Sequence, residues 1–411
     1  MDLERVKMYS YRWVVLLAYM AVVFANQILW ITFASITGPA ARFYGVSDLA
    51  IGLLSMSFMI VYVFVSIPAS WVIDTYGFRV GVGIGAVLTG IFGLMRGLLA
   101  TNYTTVLIAQ IGIAVAQPFL LNAITKVAAR WFAIQERGTA SGLGTLSMYA
   151  GQVTALALTP FLVLGLGIPQ MLVIYGIVAV AGAIAFLVFA REHPPTPASP
   201  AGEEVRSLVF DGLKQTLRKR DFLLTMAIFF IGLGVFNGVT TWIEDIVRPR
   251  GFSITQAGLT GALMVGGGVL GALILPALSD HYRRRVPFIV LALAASIVGL
   301  AGITFAMAYA WLLTGALIMG FFLLAAGPIG FQYGAEIAYP APEGTTNGLL
   351  LLVGQISGIL FILGMDQFKI PLTGSMTPSL LALIGLMVVG LLLSTRLRES
   401  ALLTDARRAR P

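Results

Sequence analysis

The sequence contains no cysteine, which excludes disulfides, thiolate metal sites and cysteine nucleophiles together. Charge is also scarce. Of 411 residues, 11% are Asp, Glu, Lys or Arg and 58% are hydrophobic. A water-exposed surface needs more charge than that, so most of these side chains are expected in lipid. The two histidines, His193 and His281, both fall in polar breaks between apolar runs. No acidic or basic residue sits near the centre of any run. Glu244, Asp245, Arg96 and Asp366 fall towards one expected side of the membrane, and Glu336 and Glu343 towards the other. Proton-driven carriers ordinarily hold a titrating group at membrane depth, so this absence tilts the reading to facilitated movement, with Glu244 the remaining coupling candidate. An enzyme would need a nucleophile, metal ligands or paired carboxylates in a cavity. No run carries such a set, and no catalytic residue, metal or cofactor is expected.

What is present is a duplication. Asp74, in VIDTYGFR, recurs 206 residues later as Asp280, in LSDHYRRR, and Gly138, Thr139, Gly142 and Leu143 recur at the same shift as Gly344, Thr345, Gly348 and Leu349. Two landmarks with one offset, about half the chain, indicate a repeated unit. A helix needs roughly 20 apolar residues to cross a hydrocarbon core. The first half has such runs at 13–36, 48–73, 80–100, 104–129, 138–164 and 168–190. The second half has them at 222–247, 255–278, 286–307, 309–337, 345–365 and 378–393. Two six-helix bundles are expected, 1–190 and 221–411, joined by a linker over 191–220. The linker begins Pro-rich and acidic, and ends in a stretch whose Leu208, Phe210, Leu213 and Leu217 suit a short amphipathic helix on the inner membrane face.

With the N-terminus placed inside, most of the 26 basic residues fall on the inner side, and both termini are expected to be cytoplasmic. The net charge of +8 is then a topology signal rather than a nucleic-acid footprint. The N-terminal segment lacks a cleavage pattern and reads as a retained tail. The short loops suit a prokaryotic plasma (inner) membrane.

Polar groups at membrane depth form the candidate substrate set: Asn26, Gln27 and Trp30 in span 1, Gln117 in span 4, Tyr149 and Gln152 in span 5, Asn237 in span 7, Gln332 and Tyr333 in span 10, and Gln355 in span 11. Each could equally serve as an interhelical hydrogen-bonding group; as a set they suit a midplane cavity between two repeats. The glycine run Gly266–Gly271 spells a dinucleotide fingerprint, but inside an apolar span it reads as a close helix–helix approach, as do Gly81, Gly83, Gly85 and Gly90.

The charged turns after spans 2 and 8 resemble the Asp-Arg-x-Gly-Arg-Arg signature of the major facilitator superfamily, with Thr75 in place of an arginine and no glycine at position 283. Asp74 with Arg79, and Asp280 with Arg284, are the expected latch pairs. Arg130, Glu136, Arg137, Glu336 and Glu343 are expected to join them. Beyond that signature, the chain resembles solute carrier family 49, the feline leukaemia virus subgroup C receptor-related transporters. The similarity is carried by EIAYPAPEGTTNGLL at Glu336–Leu350, YRW at Tyr11–Trp13, VAQPFLL at Val115–Leu121, and ARWF followed by Glu136-Arg137.

The resemblance implies an all-α major facilitator fold of 12 transmembrane helices, two pseudo-twofold-related bundles rocking in alternating access, and a small-molecule substrate: choline, ethanolamine or haem in the family. The protein is expected to act as a monomer. Its choline site uses a tryptophan in span 1, a tyrosine in span 7 and glutamines in spans 4 and 11. These fall on Trp30, Asn237, Gln117 and Gln355, so the span-7 aromatic is lost. Tyr149, Trp242 or Tyr333 could replace it. An aromatic face suits a quaternary ammonium. Haem has less support, because neither histidine is in a span. The expectation is a facilitative carrier of a choline-like or other amine; a proton-coupled carrier, a haem-type exporter and a non-transporting receptor or scaffold are the alternatives.

Overall fold

The computed structural model describes residues 9–133, 136–196, 216–339 and 343–400, with side chains of the last stretch described from 346 onward. The N-terminal tail, most of the linker with its expected amphipathic helix, and the Glu343 side chain lie outside the described residues. Among the described residues, twelve helices are long and apolar enough to cross a membrane, and the chain is an integral membrane protein with twelve spans. Lipid offers backbone groups no hydrogen bonds, so a spanning segment must satisfy its own, as a helix does. The chain divides into two compact units, Met1–Val205 and Arg206–Pro411.

Unit 1 comprises α1 (Tyr11–Ile31), α2 (Thr37–Tyr44), α3 (Asp48–Tyr76), α4 (Phe78–Leu98), α5 (Tyr103–Leu121), α6 (Ile124–Trp131), α7 (Arg137–Leu166) and α8 (Ile168–Phe189). Unit 2 comprises α9 (Arg220–Thr241), α10 (Ile243–Val247), a short 3₁₀ turn at Arg248–Arg250, α11 (Ile254–Tyr282), α12 (Val286–Phe305), α13 (Tyr309–Ala338), α14 (Glu343–Gln367) and α15 (Thr377–Ser394).

The 206-residue repeat is visible in small contacts as well as in helix ends. The Ser47 hydroxyl accepts from the Ala50 N–H at the start of α3, and Ser253 caps α11 in the same way through Gln256. Such caps satisfy the donors that a helix start leaves open. The Tyr103 hydroxyl donates to the Ala50 carbonyl, and Tyr309 donates to the Gln256 carbonyl, 206 positions on. The glycine run of span 8 packs as a helix surface. A side chain at Gly271 would lie 1.8 Å from the Phe321 carbonyl oxygen, and one at Gly320 1.8 Å from that of Met264. Only glycine lets α11 and α13 approach so closely.

Two expected spans are interrupted. Span 1 stops being helical at Ile31 and turns before α2 begins at Thr37. Span 4 breaks at Asn122, whose side-chain amide donates to Ser66 and Ser70 of α3 and whose oxygen accepts from the Tyr62 hydroxyl. Hydrophobicity continues through both breaks, so a hydropathy count cannot see them.

Candidate functional site

In unit 1, α1 carries Asn26, Gln27 and Trp30 on its second half, and their surroundings separate them. Asn26 is fully buried and donates to the Thr89 hydroxyl at 3.2 Å and the Ile113 carbonyl at 3.4 Å. Gln27 donates to Asn26 and accepts from Gln152 at 3.0 Å. This chain ties α1 to α4, α5 and α7. Asn26 and Gln27, expected among the cavity-lining groups, are thus taken up inside the bundle, because a buried amide must find partners wherever they are nearest. The Trp30 indole N–H donates to the Ser55 carbonyl at 3.1 Å, and its ring lies 6.5 Å from that of Phe58. With the N–H anchored, what Trp30 can offer a ligand is its π face. Gln117 is buried on α5 and Tyr149 half-buried on α7.

In unit 2, Asn237 is buried on α9 and Gln355 half-buried on α14. The side chains of Gln117, Asn237 and Gln355 make no hydrogen bond among the described residues. Three buried or half-buried amides with unused donors and acceptors are left for water or a ligand to complete. Tyr333 differs. It is fully buried, and its hydroxyl is committed to the Arg398 carbonyl at 2.7 Å. Trp242 is likewise buried, its N–H on the Ile362 carbonyl. Neither presents the replacement aromatic wall considered from the sequence. Gln332 is exposed and donates to Glu336 at 3.1 Å, which places it with the charged turn.

The charged turns contain the expected aspartates with different partners. Asp74 pairs with Lys126 at 3.0 Å, while the Arg79 side chain is exposed. Asp280 pairs with Arg285 rather than the exposed Arg284. Arg285 also reaches Glu336 at 3.1 Å and the Ser279 hydroxyl at 3.2 Å. Burial would lower the Arg285 pKa; the bonds to Asp280 and Glu336 outweigh it and hold it raised. Elsewhere in unit 1, Arg12 pairs with Glu136 at 3.1 Å. Arg137 donates to the Ala129 and Phe132 carbonyls at the end of α6, on which the half-buried Arg130 lies.

Sequence reasoning missed two carboxylates. Glu192, just beyond α8, accepts from the N–H groups of Phe78 and Arg79 at 3.2 and 2.7 Å, capping α4. Glu399, just beyond α15, accepts from the Arg285 N–H at 2.7 Å. The signal was a glutamate after the last span of each repeat. Glu244 and Asp245 are buried on α10 but compensated. Arg248 reaches both, at 3.2 and 2.5 Å, and Lys369 reaches Asp245 at 2.8 Å. No group of three or more metal-ligating side chains occurs among the described residues.

These features agree with the similarity to known proteins. Residues 15–362 match the Major Facilitator Superfamily model. Solute carrier family 49 member A3 of Danio rerio is 30% identical over 383 residues, 89% of this chain and 80% of that protein. The human choline/ethanolamine transporter FLVCR2 is 27% identical over 387 residues, 89% of this chain and 73% of that protein. Among solved structures, a bacterial homologue of the human lysosomal transporter Spinster, inward-facing and unoccupied, superposes with a TM-score of 0.73 at 19% identity, covering 98% of each chain. The nucleoside transporter NupG gives 0.73 at 14% identity, covering 93% of this chain and 99% of its own. At those identities the structural likeness speaks for the fold, twelve spans in a major facilitator arrangement, and the sequence match speaks for kinship. The chain belongs to the Major Facilitator Superfamily, as a transporter rather than an enzyme, and is related to solute carrier family 49.

Proposed function

We propose that this transporter moves a small polar or cationic organic solute, choline-like or another amine, by facilitative alternating access. The observation that carries the reading is the set of uncommitted amides, Gln117, Asn237 and Gln355, together with the anchored Trp30 ring. An aromatic face binds a quaternary ammonium through its quadrupole and spares the desolvation of a carboxylate, while amides serve the hydroxyl end of such a solute. Trp30, Gln117, Gln355 and Asn237 are the proposed contacts, with Tyr149 the remaining aromatic candidate. Relatives named choline/ethanolamine transporters support the substrate class. Asn237, where the resemblance places a tyrosine, is the proposed determinant of a selectivity different from theirs.

The pairing of Glu244 and Asp245 with Arg248 and Lys369 favours uniport over proton coupling, since each carboxylate already has a counter-charge from the protein. The charged turns at Asp74 and Asp280 are the proposed conformational latches. We place both termini in the cytoplasm on the distribution of basic residues, in a plasma membrane, with the protein acting as a monomer built from bundles 1–190 and 221–411 and a linker over 191–220.

The test is a thermal-shift titration of purified protein with choline, ethanolamine and a panel of neutral and anionic solutes, repeated on Trp30→Ala. A ligand selective for the native state raises the melting temperature with the logarithm of its concentration. Stabilisation by an amine, lost in Trp30→Ala, is expected. Stabilisation by an anion alone would overturn the substrate class.

A further inference from the structure

The break in span 1 is held by a buried cation. Arg96, in the last turn of α4, is 0% exposed, and the described residues place no carboxylate on it. A guanidinium at that depth without a counter-ion is costly. What faces it is the C-terminal end of α1, where the helix dipole concentrates partial negative charge and the last four carbonyls lack helical partners.

Those four carbonyls are all accounted for. The Thr32 hydroxyl donates to the Ile28 carbonyl at 2.6 Å. Arg96 Nη1 and Gln110 Nε2 both donate to the Leu29 carbonyl, at 2.8 and 3.1 Å. Gln110 also reaches the Trp30 carbonyl at 3.5 Å, and the Ala34 N–H takes that of Ile31 at 3.1 Å. Arg96 then ties its partners to one another: Nη1 donates to Gln110 Oε1 at 2.6 Å and Nη2 to the Thr32 hydroxyl at 3.2 Å. The guanidinium also lies 5.6 Å from the Phe33 ring centroid.

The fold does not require this device. Unit 2 has Gly302 and Ala316 at the positions 206 residues beyond Arg96 and Gln110, and there α12 and α13 pack backbone to backbone, a side chain at Gly302 lying 2.9 Å from the Gly315 Cα. The cap therefore serves something particular to span 1, and the carbonyls that Gln110 bonds belong to Leu29 and Trp30. We infer that Arg96 and Gln110 are positioning residues: they clamp the backbone at the end of α1 so that the Trp30 ring is held at a set place and angle for substrate. This rests on the proposed role of Trp30.

Two measurements test it, on the full chain in nanodiscs. The first is amide hydrogen exchange of native protein, Arg96→Lys and Gln110→Met. Lysine keeps the charge but lacks the fork that joins Leu29, Gln110 and Thr32. Faster exchange confined to residues 28–36 is expected in both variants. Unchanged exchange there, or an equal rise across unit 1, overturns the inference. The second is a double-mutant cycle read by choline affinity. Arg96→Lys alone is expected to weaken choline roughly tenfold, as a lost cation–π alignment would. Combined with Trp30→Ala, it is expected to add nothing, because both remove the same contact. Additive losses would mean that Arg96 acts elsewhere and would overturn the positioning role. If native protein ignores choline while exchange at 28–36 responds, the substrate reading falls and the backbone clamp stands.

Discussion

The two units carry the same turn with opposite wiring. Asp74 and Arg79 stand 206 residues before Asp280 and Arg285, yet Arg285 is turned inward and Arg79 outward. The difference is traced to the facing helix. Unit 2 presents Gln332 and Glu336, whereas unit 1 presents Lys126 and Arg130 at the equivalent positions. Glu336 gives Arg285 a second carboxylate. In unit 1 the corresponding arginine would repel Arg79, and Lys126 takes Asp74 instead, its ammonium also donating to the Ile73 carbonyl at 2.8 Å. One duplicated motif thus yields a buried arginine with three partners in one unit and a surface pair in the other. A sequence signature identifies the turn; its partners decide how firmly it is held.

The largest effect expected from breaking this comparison is in unit 2. Arg285→Leu leaves Glu336, whose side chain is 9% exposed, as an uncompensated near-buried charge, at a cost of about 3 kcal/mol. The melting temperature in detergent should fall clearly, and adding Glu336→Gln should recover part of the loss. A melting temperature equal to native would show that Glu336 does not depend on Arg285 for its counter-charge.

A backbone comparison comes next. Gly77 and Arg283 are equivalent, and both have positive φ, 92° and 51°. Gly77→Ala places a side chain where only glycine is at ease and within 2.5 Å of the Glu192 carboxylate that caps α4, at about 2 kcal/mol. Arg283→Gly relieves the left-handed strain and should stabilise by about 1 kcal/mol. Opposite signs in the two melting curves are the expected result, and equal signs would contradict the equivalence of the turns. The smallest effect belongs to Lys126→Met. Asp74 is 76% exposed, and a solvent-screened pair contributes at most about 1 kcal/mol. The shift should shrink further in high salt, which a titration of melting temperature against salt would measure.

The count of spans was legible in the sequence because a helix crossing lipid needs a long apolar run. The breaks within spans 1 and 4 were not, because Thr32–Ile36 and Asn122 leave the runs apolar enough to read as continuous. The candidate amides show the same limit more sharply. Asn26, Gln27 and Gln117 are indistinguishable by depth and chemistry, yet Asn26 and Gln27 are consumed by Thr89 and Gln152 while Gln117 keeps its capacity. The sequence places Arg96 towards the outer end of a span, but not the Leu29 carbonyl, Gln110 and Thr32 that hold it.

By itself, the sequence determined the class of molecule: membrane-spanning helices, a duplicated six-span unit, and kinship with the facilitator transporters. Composition and periodicity report solvent, and the solvent here is lipid. Only the tertiary structure decided which polar groups are spent and which remain free, and that Asp280 chooses Arg285 over Arg284. A hydrogen bond is settled within about 3 Å, and residues that share one, such as Arg96 with Leu29, lie far apart along the chain.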